Sequence, residues 1–332
     1  MKIERRAFLG GAAAAVATGV AGAAFGTGRS SSSVDGARVL RVGVMMNLTH
    51  APLLAGLGSG RIAKAMAPLR VEPRAFRAGP RVTEALLGDA IDVGTAGPAP
   101  VVIHHSRHAR GGGGLRVLAG CASGGASFIV GKDSGIHGPS DLAGKRLGVT
   151  QIGTTQDVAL RAWLGRHGRR TAAAGGDVTV LAIPSSVILD QMKRGELHGA
   201  WMAEPWATRL EQELGARRLL DERDLWPGRT FATAILTARA SRAADPALER
   251  LVELLKEEVV RIVARPSDSL AEAYEEMKRH VGNPGSRKIF DKAAAYVDFT
   301  SDPVRESIVH FAEDAAALGL TQDPGSVAGL FG

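Results

Sequence analysis

The chain has 332 residues, 45% of them hydrophobic and 5% aromatic, with 41 Lys and Arg against 34 Asp and Glu for a net charge of +7. This is enough for a sizeable core and one or two domains, and the composition is unlike that of a disordered or fibrous protein. The positive charge is scattered (Arg107, His108 and Arg110; Arg169 and Arg170; Arg217 and Arg218) without interleaved aromatics, which argues against nucleic acid as a partner, and after residue 30 no apolar run is long enough to span a bilayer.

The first segment has its own character. Lys2, Arg5 and Arg6 precede an almost unbroken run of small and apolar residues from Ala7 to Ala24, with Ala21-Gly22-Ala23 as a small-residue cleavage site. This pattern predicts a signal peptide over residues 1–27 and an exported protein, in the periplasm or on the outer face of the membrane. Arg5-Arg6-Ala7-Phe8-Leu9 resembles a twin-arginine signal, but Glu4 stands where Ser or Thr is usual, so general secretion stays open as the route. Residues 28–36 read as a Gly/Ser linker.

From residue 37 short β-rich runs alternate with helical patterns, as in α/β units with parallel strands. Strands are expected at Arg41–Val44, Val71–Phe76 and Ile91–Gly94, and again at Arg146–Val149, Val178–Ile183 and His198–Trp201. Val71 to Gly88 spans the same distance as Val178 to Gly195, and Gly88 to Pro98 the same as Gly195 to Pro205. This matched spacing predicts an internal duplication, with Gly88 and Gly195 each ending a helix. Two similar open sheets face one another across a cleft, and ligands of such sheets sit outside the carboxyl ends of the strands. From Asp245 the chain turns helical, over Leu248–Val263, Leu270–Val281 and Lys288–Val297. Asp245-Pro246 and Asp302-Pro303 are expected helix starts.

Candidate chemistry lies in the strand-to-helix turns. Val44 is followed by Met45 to Pro52, Gly94 by Thr95 to Pro100, and Val149 by Thr150 to Asp157, where Thr154 and Asp157 have capping spacing. Such turns present main-chain N–H groups at the positive end of a helix and can hold an oxyanion without Lys or Arg. His50 is a donor to a ligand or a turn residue. Trp201 with Glu204 stacks on and hydrogen-bonds an organic ligand, or Trp201 and Trp206 belong to the core. Cys121, the single cysteine, permits no internal disulfide; Leu118-Ala119-Gly120-Cys121 lies too far along the chain for lipid attachment and reads as a buried strand end. His104, His105 and His108 read as an exposed helix face rather than a metal site, and Asp221-Glu222-Arg223-Asp224 as a solvated loop. No Gly-x-Ser-x-Gly, His-Glu-x-x-His or phosphate-loop pattern occurs, so neither catalytic residues nor a metal or cofactor is expected.

Taken together, several segments resemble the substrate-binding proteins of the nitrate/sulfonate/taurine importers. They are Asn47-Leu48-Thr49-His50-Ala51-Pro52, Phe76-Arg77-Ala78-Gly79-Pro80, Ala90-Ile91-Asp92-Val93-Gly94, Asp141–Arg146, Gly153–Arg161, Gly199-Ala200-Trp201 and Glu204-Pro205-Trp206. The similarity is greatest to members that bind aliphatic sulfonates. It implies an α/β, type II periplasmic-binding-protein fold, with one lobe from residues 37–127 and 232–332 and the other from 128–231. The chain would cross between them near Phe128–Gly131 and Phe231–Thr237. It further implies a small anionic organic ligand, a membrane ABC permease and ATPase as partners, and a monomer. The ligand contacts it implies are Asn47, Thr49 and His50; Gly79; Thr95, Ala96 and Gly97; Ser123, Gly124 and Gly125; Thr154, Thr155 and Gln156; and Trp201 with Glu204. Nitrate, taurine and thiamine pyrimidine precursors are alternative ligands. A thiamine-pyrimidine-synthesising enzyme on the same fold is the alternative of another class; its relatives carry a Cys-rich motif and work inside cells.

Overall fold

The computed structural model describes residues 38–109, 113–321 and 323–332. The signal peptide and linker expected over 1–27 and 28–36 lie outside them, as does Arg110.

The first half opens with β1 (Val39–Met45), whose Leu40, Val42 and Val44 are buried. A single 3-10 turn over Leu48–His50 feeds α1 (Ala51–Gly58) and α2 (Arg61–Ala65). Then come β2 (Arg70–Phe76), α3 (Gly79–Leu87), β3 (Val93–Ala96), α4 (Pro98–His108) and β4 (Leu115–Gly124). The second half runs β5 (Ala126–Val130), β6 (Arg146–Val149), α5 (Thr155–Arg166), β7 (Thr179–Ala182), α6 (Ser185–Lys193), β8 (Gly199–Ala203), α7 (Trp206–Leu214) and β9 (Arg217–Asp221). The chain returns through β10 (Ala232–Arg239), α8 (Pro246–Ala264), α9 (Pro266–Val281), α10 (Arg287–Ala293), β11 (Val297–Phe299) and α11 (Arg305–Ala317).

Two sheets result, in the orders β11-β4-β10-β3-β1-β2 and β7-β6-β8-β5-β9. In the first, β1 lies parallel between β2 and β3, and β10 runs antiparallel beside β3. In the second, β6 lies parallel between β7 and β8, and β5 runs antiparallel beside β8. The two halves therefore share strand order and direction, the duplication expected from the spacing. The first sheet is covered on one face by α1, α8 and α9, through Leu53, Leu54, Leu251, Leu255 and Leu270. Its other face is covered by α3, α4 and α11, through Val82, Leu86, Val101 and Ile308. The second sheet packs on α5, through Leu160 and Trp163, and on α6 and α7, through Ile188 and Leu210. Each such side chain contributes about 1.5–3 kcal/mol on leaving water.

The strands pass from one sheet to the other in two places, at Gly125 between β4 and β5, and over 222–231 between β9 and β10. Both passages come a few residues before the segments expected from the resemblance. Phe128–Val130 is already laddered to β8 and Ala232–Arg239 to β4, which leaves no freedom to cross there. Other differences are local. Gly195 ends α6 at φ +73°, but Gly88 after α3 has φ −87°, and the left-handed residue there is Asp89 at φ +57°. Asp245 caps α8 by accepting from Ala247 N (3.0 Å). Asp302 does not cap α11: its Oδ1 accepts from Val304 N at 2.8 Å, and the helix begins two residues beyond Pro303. Val297, expected to end a helix, pairs with Gly124 as the first residue of an edge strand.

Candidate ligand-binding site

A cavity of about 530 Å³ opens between the carboxyl ends of the strands of both sheets. From the first half it is lined by Asn47, Thr49 and His50 after β1, by Arg77, Gly79 and Arg81 after β2, and by Gly97 after β3. From the second come Thr150, Gln151, Thr154, Thr155 and Gln156 after β6, Ser185 and Ser186 after β7, and Trp206 after β8. The end of α9 adds Met277 and Val281, and the loop beyond it Asn283 and Pro284. Among the described residues, no Asp or Glu lines the cavity.

Eight of the expected residues thus meet on one surface: Asn47, Thr49, His50, Gly79, Gly97, Thr154, Thr155 and Gln156. Their donors are unequally free. Asn47 Oδ1 accepts from Thr49 N (3.2 Å) and stands near Thr49 Oγ1 (3.3 Å), so this turn is largely closed on itself. Pro98 and Pro100 remove two N–H groups from the start of α4. The start of α5 is the open one. Thr154 Oγ1 donates to Gln151 O (2.8 Å) and accepts from Asp157 N (3.3 Å), as its spacing predicts, while Asp157 also accepts from Gly153 N (2.8 Å). The main-chain N–H groups of Thr155 and Gln156 have no acceptor in their own helix, and both residues face the cavity. The start of α6 adds Ser185 and Ser186 behind Pro184, a turn that lies at the equivalent point of the duplication but carried no motif of its own.

The two halves touch at the cavity floor. Ala99 N points to Thr155 Oγ1 at 3.4 Å, and a Cβ on Gly97 would stand 2.3 Å from that oxygen. Gly97 has φ −74°, which any residue adopts, so its glycine is required by this close approach alone. His50 is 3% exposed, and burial pushes its imidazole down to about 3. It is therefore neutral at physiological pH, and among the described residues its Nδ1 has no partner.

The remaining expected contacts lie elsewhere. Thr95 and Ala96 are buried inside β3, where Thr95 Oγ1 accepts from Met45 N (3.4 Å). Ser123 Oγ accepts from Phe231 N (3.1 Å), Thr233 donates to Gly124 O, and Glu204 N donates to Gly125 O (2.8 Å). Ser123 to Gly125 therefore fasten the two passages together and do not line the cavity. Trp201 is fully buried, stacked on Phe128 at 5.6 Å between ring centroids, and its indole donates to Glu222 Oε2 at 2.6 Å. Glu204 is also fully buried; it accepts from Thr208 N (3.0 Å) in the first turn of α7 and from Arg218 (2.8 Å). Its own carboxylate thus occupies the helix start that an anionic ligand would use.

Two expectations about charge are corrected as well. His105 is buried between Leu115 and Ser326 O (3.0 Å) rather than exposed. Glu222 is fully buried, not solvated, and burial pushes its carboxyl up to about 8, against the opposing indoles of Trp201 and Trp226. Arg77 and Arg81 also line the cavity, and the hydroxyl and glycine pattern of the turns gives no sign of them. Cys121 is buried in β4, as read. Among the described residues no group of three potential metal ligands occurs, and no helix is long and apolar enough to cross a membrane.

Two linked α/β sheets of matching order, with a ligand-sized cavity at their facing carboxyl ends, define the periplasmic-binding-protein fold. The alkanesulfonate-binding protein of Xanthomonas axonopodis pv. citri, solved bound to MOPS, superposes with a TM-score of 0.72 at 19% identity, covering 89% of this chain and 98% of that one. The periplasmic nitrate-binding protein of Synechocystis PCC 6803 gives 0.72 at 15% identity, covering 89% and 86%. The periplasmic aliphatic sulphonate-binding protein of Escherichia coli gives 0.69 at 18%, covering 86% and 89%. The chain belongs to the NMT1-like family, whose profile matches residues 35–266. No curated protein sequence gives a significant match.

Proposed function

We propose that the chain is an exported solute-binding protein that captures a small organic anion between its two halves and hands it to a membrane ABC permease and ATPase. The observation that carries this reading is the cavity. It joins both sheets, has no Asp or Glu among the described residues that line it, and receives the start of α5, whose first N–H groups have no acceptor in their own helix. An aliphatic sulfonate fits this chemistry: a delocalised oxyanion suits neutral donors and a helix dipole. A cavity of about 530 Å³ with apolar Met202, Trp206 and Met277 in its wall is also larger than nitrate needs. The solved neighbours with this fold bind alkanesulfonates and nitrate, which supports an anion without choosing among them. We read the protein as a monomer that uses residues 1–27 for export. A thermal-shift panel of alkanesulfonates, taurine, nitrate and thiamine pyrimidine precursors tests the reading. Alkanesulfonates are expected to raise the melting temperature most; a panel in which no anion has any effect contradicts it. Loss of sulfonate uptake on deleting the gene tests the transport step.

A further inference from the structure

The first-half wall of the cavity contains a feature that a simple sulfonate does not use. Arg77 sits immediately after β2, and Arg81 lies in the first turn of α3. A cation at a helix start opposes the helix dipole, so this placement does not serve the stability of α3. Arg77 is exposed, and no carboxylate lies within ion-pair distance of it among the described residues. Arg81 reaches only Glu84, at 3.0 Å, and both side chains are substantially exposed. Across the cavity the neutral donors of α5 and α6 form a separate polar end. The lining also includes apolar Phe76, Met202, Met277 and Trp206, the last with Arg209 stacked on its ring at 4.9 Å.

Resting on the anion-binding reading above, we infer that the ligand is a dianion with a ring-sized apolar body, one acidic group at the starts of α5 and α6 and the second on Arg77 and Arg81. The wall disfavours a zwitterion of the aminosulfonate kind, because an ammonium group would meet two guanidiniums, and the one carboxylate beside them, Glu84, is already held by Arg81. The apolar part of the lining disfavours an inorganic anion, which would leave it to water.

Four probes isolate the claim: benzenesulfonate, 3- and 4-sulfobenzoate, and 4-(aminomethyl)benzenesulfonate share one body and differ in the second group. Calorimetric titration of the purified chain is expected to show at least one sulfobenzoate binding about tenfold or more tighter than benzenesulfonate, with the aminomethyl compound weakest. The Arg77→Gln/Arg81→Gln double variant should weaken the sulfobenzoates about tenfold more than benzenesulfonate, bringing the two close to one level. Both side chains are exposed, and an unchanged melting temperature of the free variant confirms its fold. Equal affinity for benzenesulfonate and both sulfobenzoates overturns the dianion inference while leaving the anion site standing, as does an equal loss for all probes in the double variant. Binding of none of these probes, nor of any alkanesulfonate, removes the anion-binding reading itself and this inference with it.

Discussion

His50 and Glu222 are buried ionisable groups displaced in opposite directions, and each makes stability depend on pH. His50 holds its proton only below about pH 3 when folded, against an ordinary value near 6.5. As pH falls from 6.5 the unfolded chain takes up this proton first, so stability is intact above 6.5 and lost toward 3, at about 1.4 kcal/mol per pH unit. Glu222 titrates near 8 when folded, against 4.5. Its contribution is complete below 4.5 and lost as pH rises toward 8, at the same slope of about 1.4 kcal/mol per unit. Denaturant titrations at pH 5, 6.5 and 8 should show Glu222→Gln gaining on the parent chain steadily with pH. A constant difference between the two would mean that Glu222 is ionised in the folded protein. For binding, His50 stays neutral, so affinity measured between pH 5 and 8 should show no step near 6.5. At this scale little was legible. Trp201 and Glu204 looked like ligand contacts because aromatic and acidic residues beside a repeat strand look alike whether they face a cleft or a core. What decided their place was the partner each found at a distance in sequence, Glu222 and Arg218, and spacing does not carry that information.

At the scale of elements, the start of α5 bears most of the site. Thr154→Ala should cost about 1 kcal/mol of stability through the lost cap, in addition to weaker binding. Thr155→Ala keeps the cap but takes away the oxygen beside Ala99 N; it should lower ligand affinity about tenfold and cost about 1 kcal/mol of stability through the contact between the halves. Gly97→Ala adds a methyl where Thr155 Oγ1 approaches. It should hold the halves apart, so that ligand no longer reduces the radius of gyration in small-angle scattering; normal compaction would mean that this contact does not limit closure. The start of α5 was readable because Gly153, Thr154 and Asp157 make a local pattern whose hydrogen bonds stay within four residues. The equivalent turn after β3 misled. Thr95 and Ala96 continue the strand that β1 and β10 pair with, and that pairing is a long-range fact.

For the whole molecule, the order of strands was the most legible feature, since a repeat spacing survives where individual motifs are weak. Both halves carry the same 2-1-3 arrangement of parallel strands, from β1 to β3 and from β6 to β8. The asymmetry between them was not legible. The first half meets the cavity with guanidiniums and with turns closed by Asn47, Pro98 and Pro100; the second meets it with open N–H groups and hydroxyls. A ligand bridging the two stabilises the joined form by mass action, about 2.7 kcal/mol at a hundred-fold excess over its dissociation constant. The most direct test of the central claim is calorimetric titration of the purified chain with a series of alkanesulfonates, beside its Thr154→Ala/Thr155→Ala variant. One sulfonate per chain, with affinity lost in the variant while its fold persists, is the predicted result. Sulfonate binding that the variant leaves untouched, or no binding by the parent chain, contradicts it.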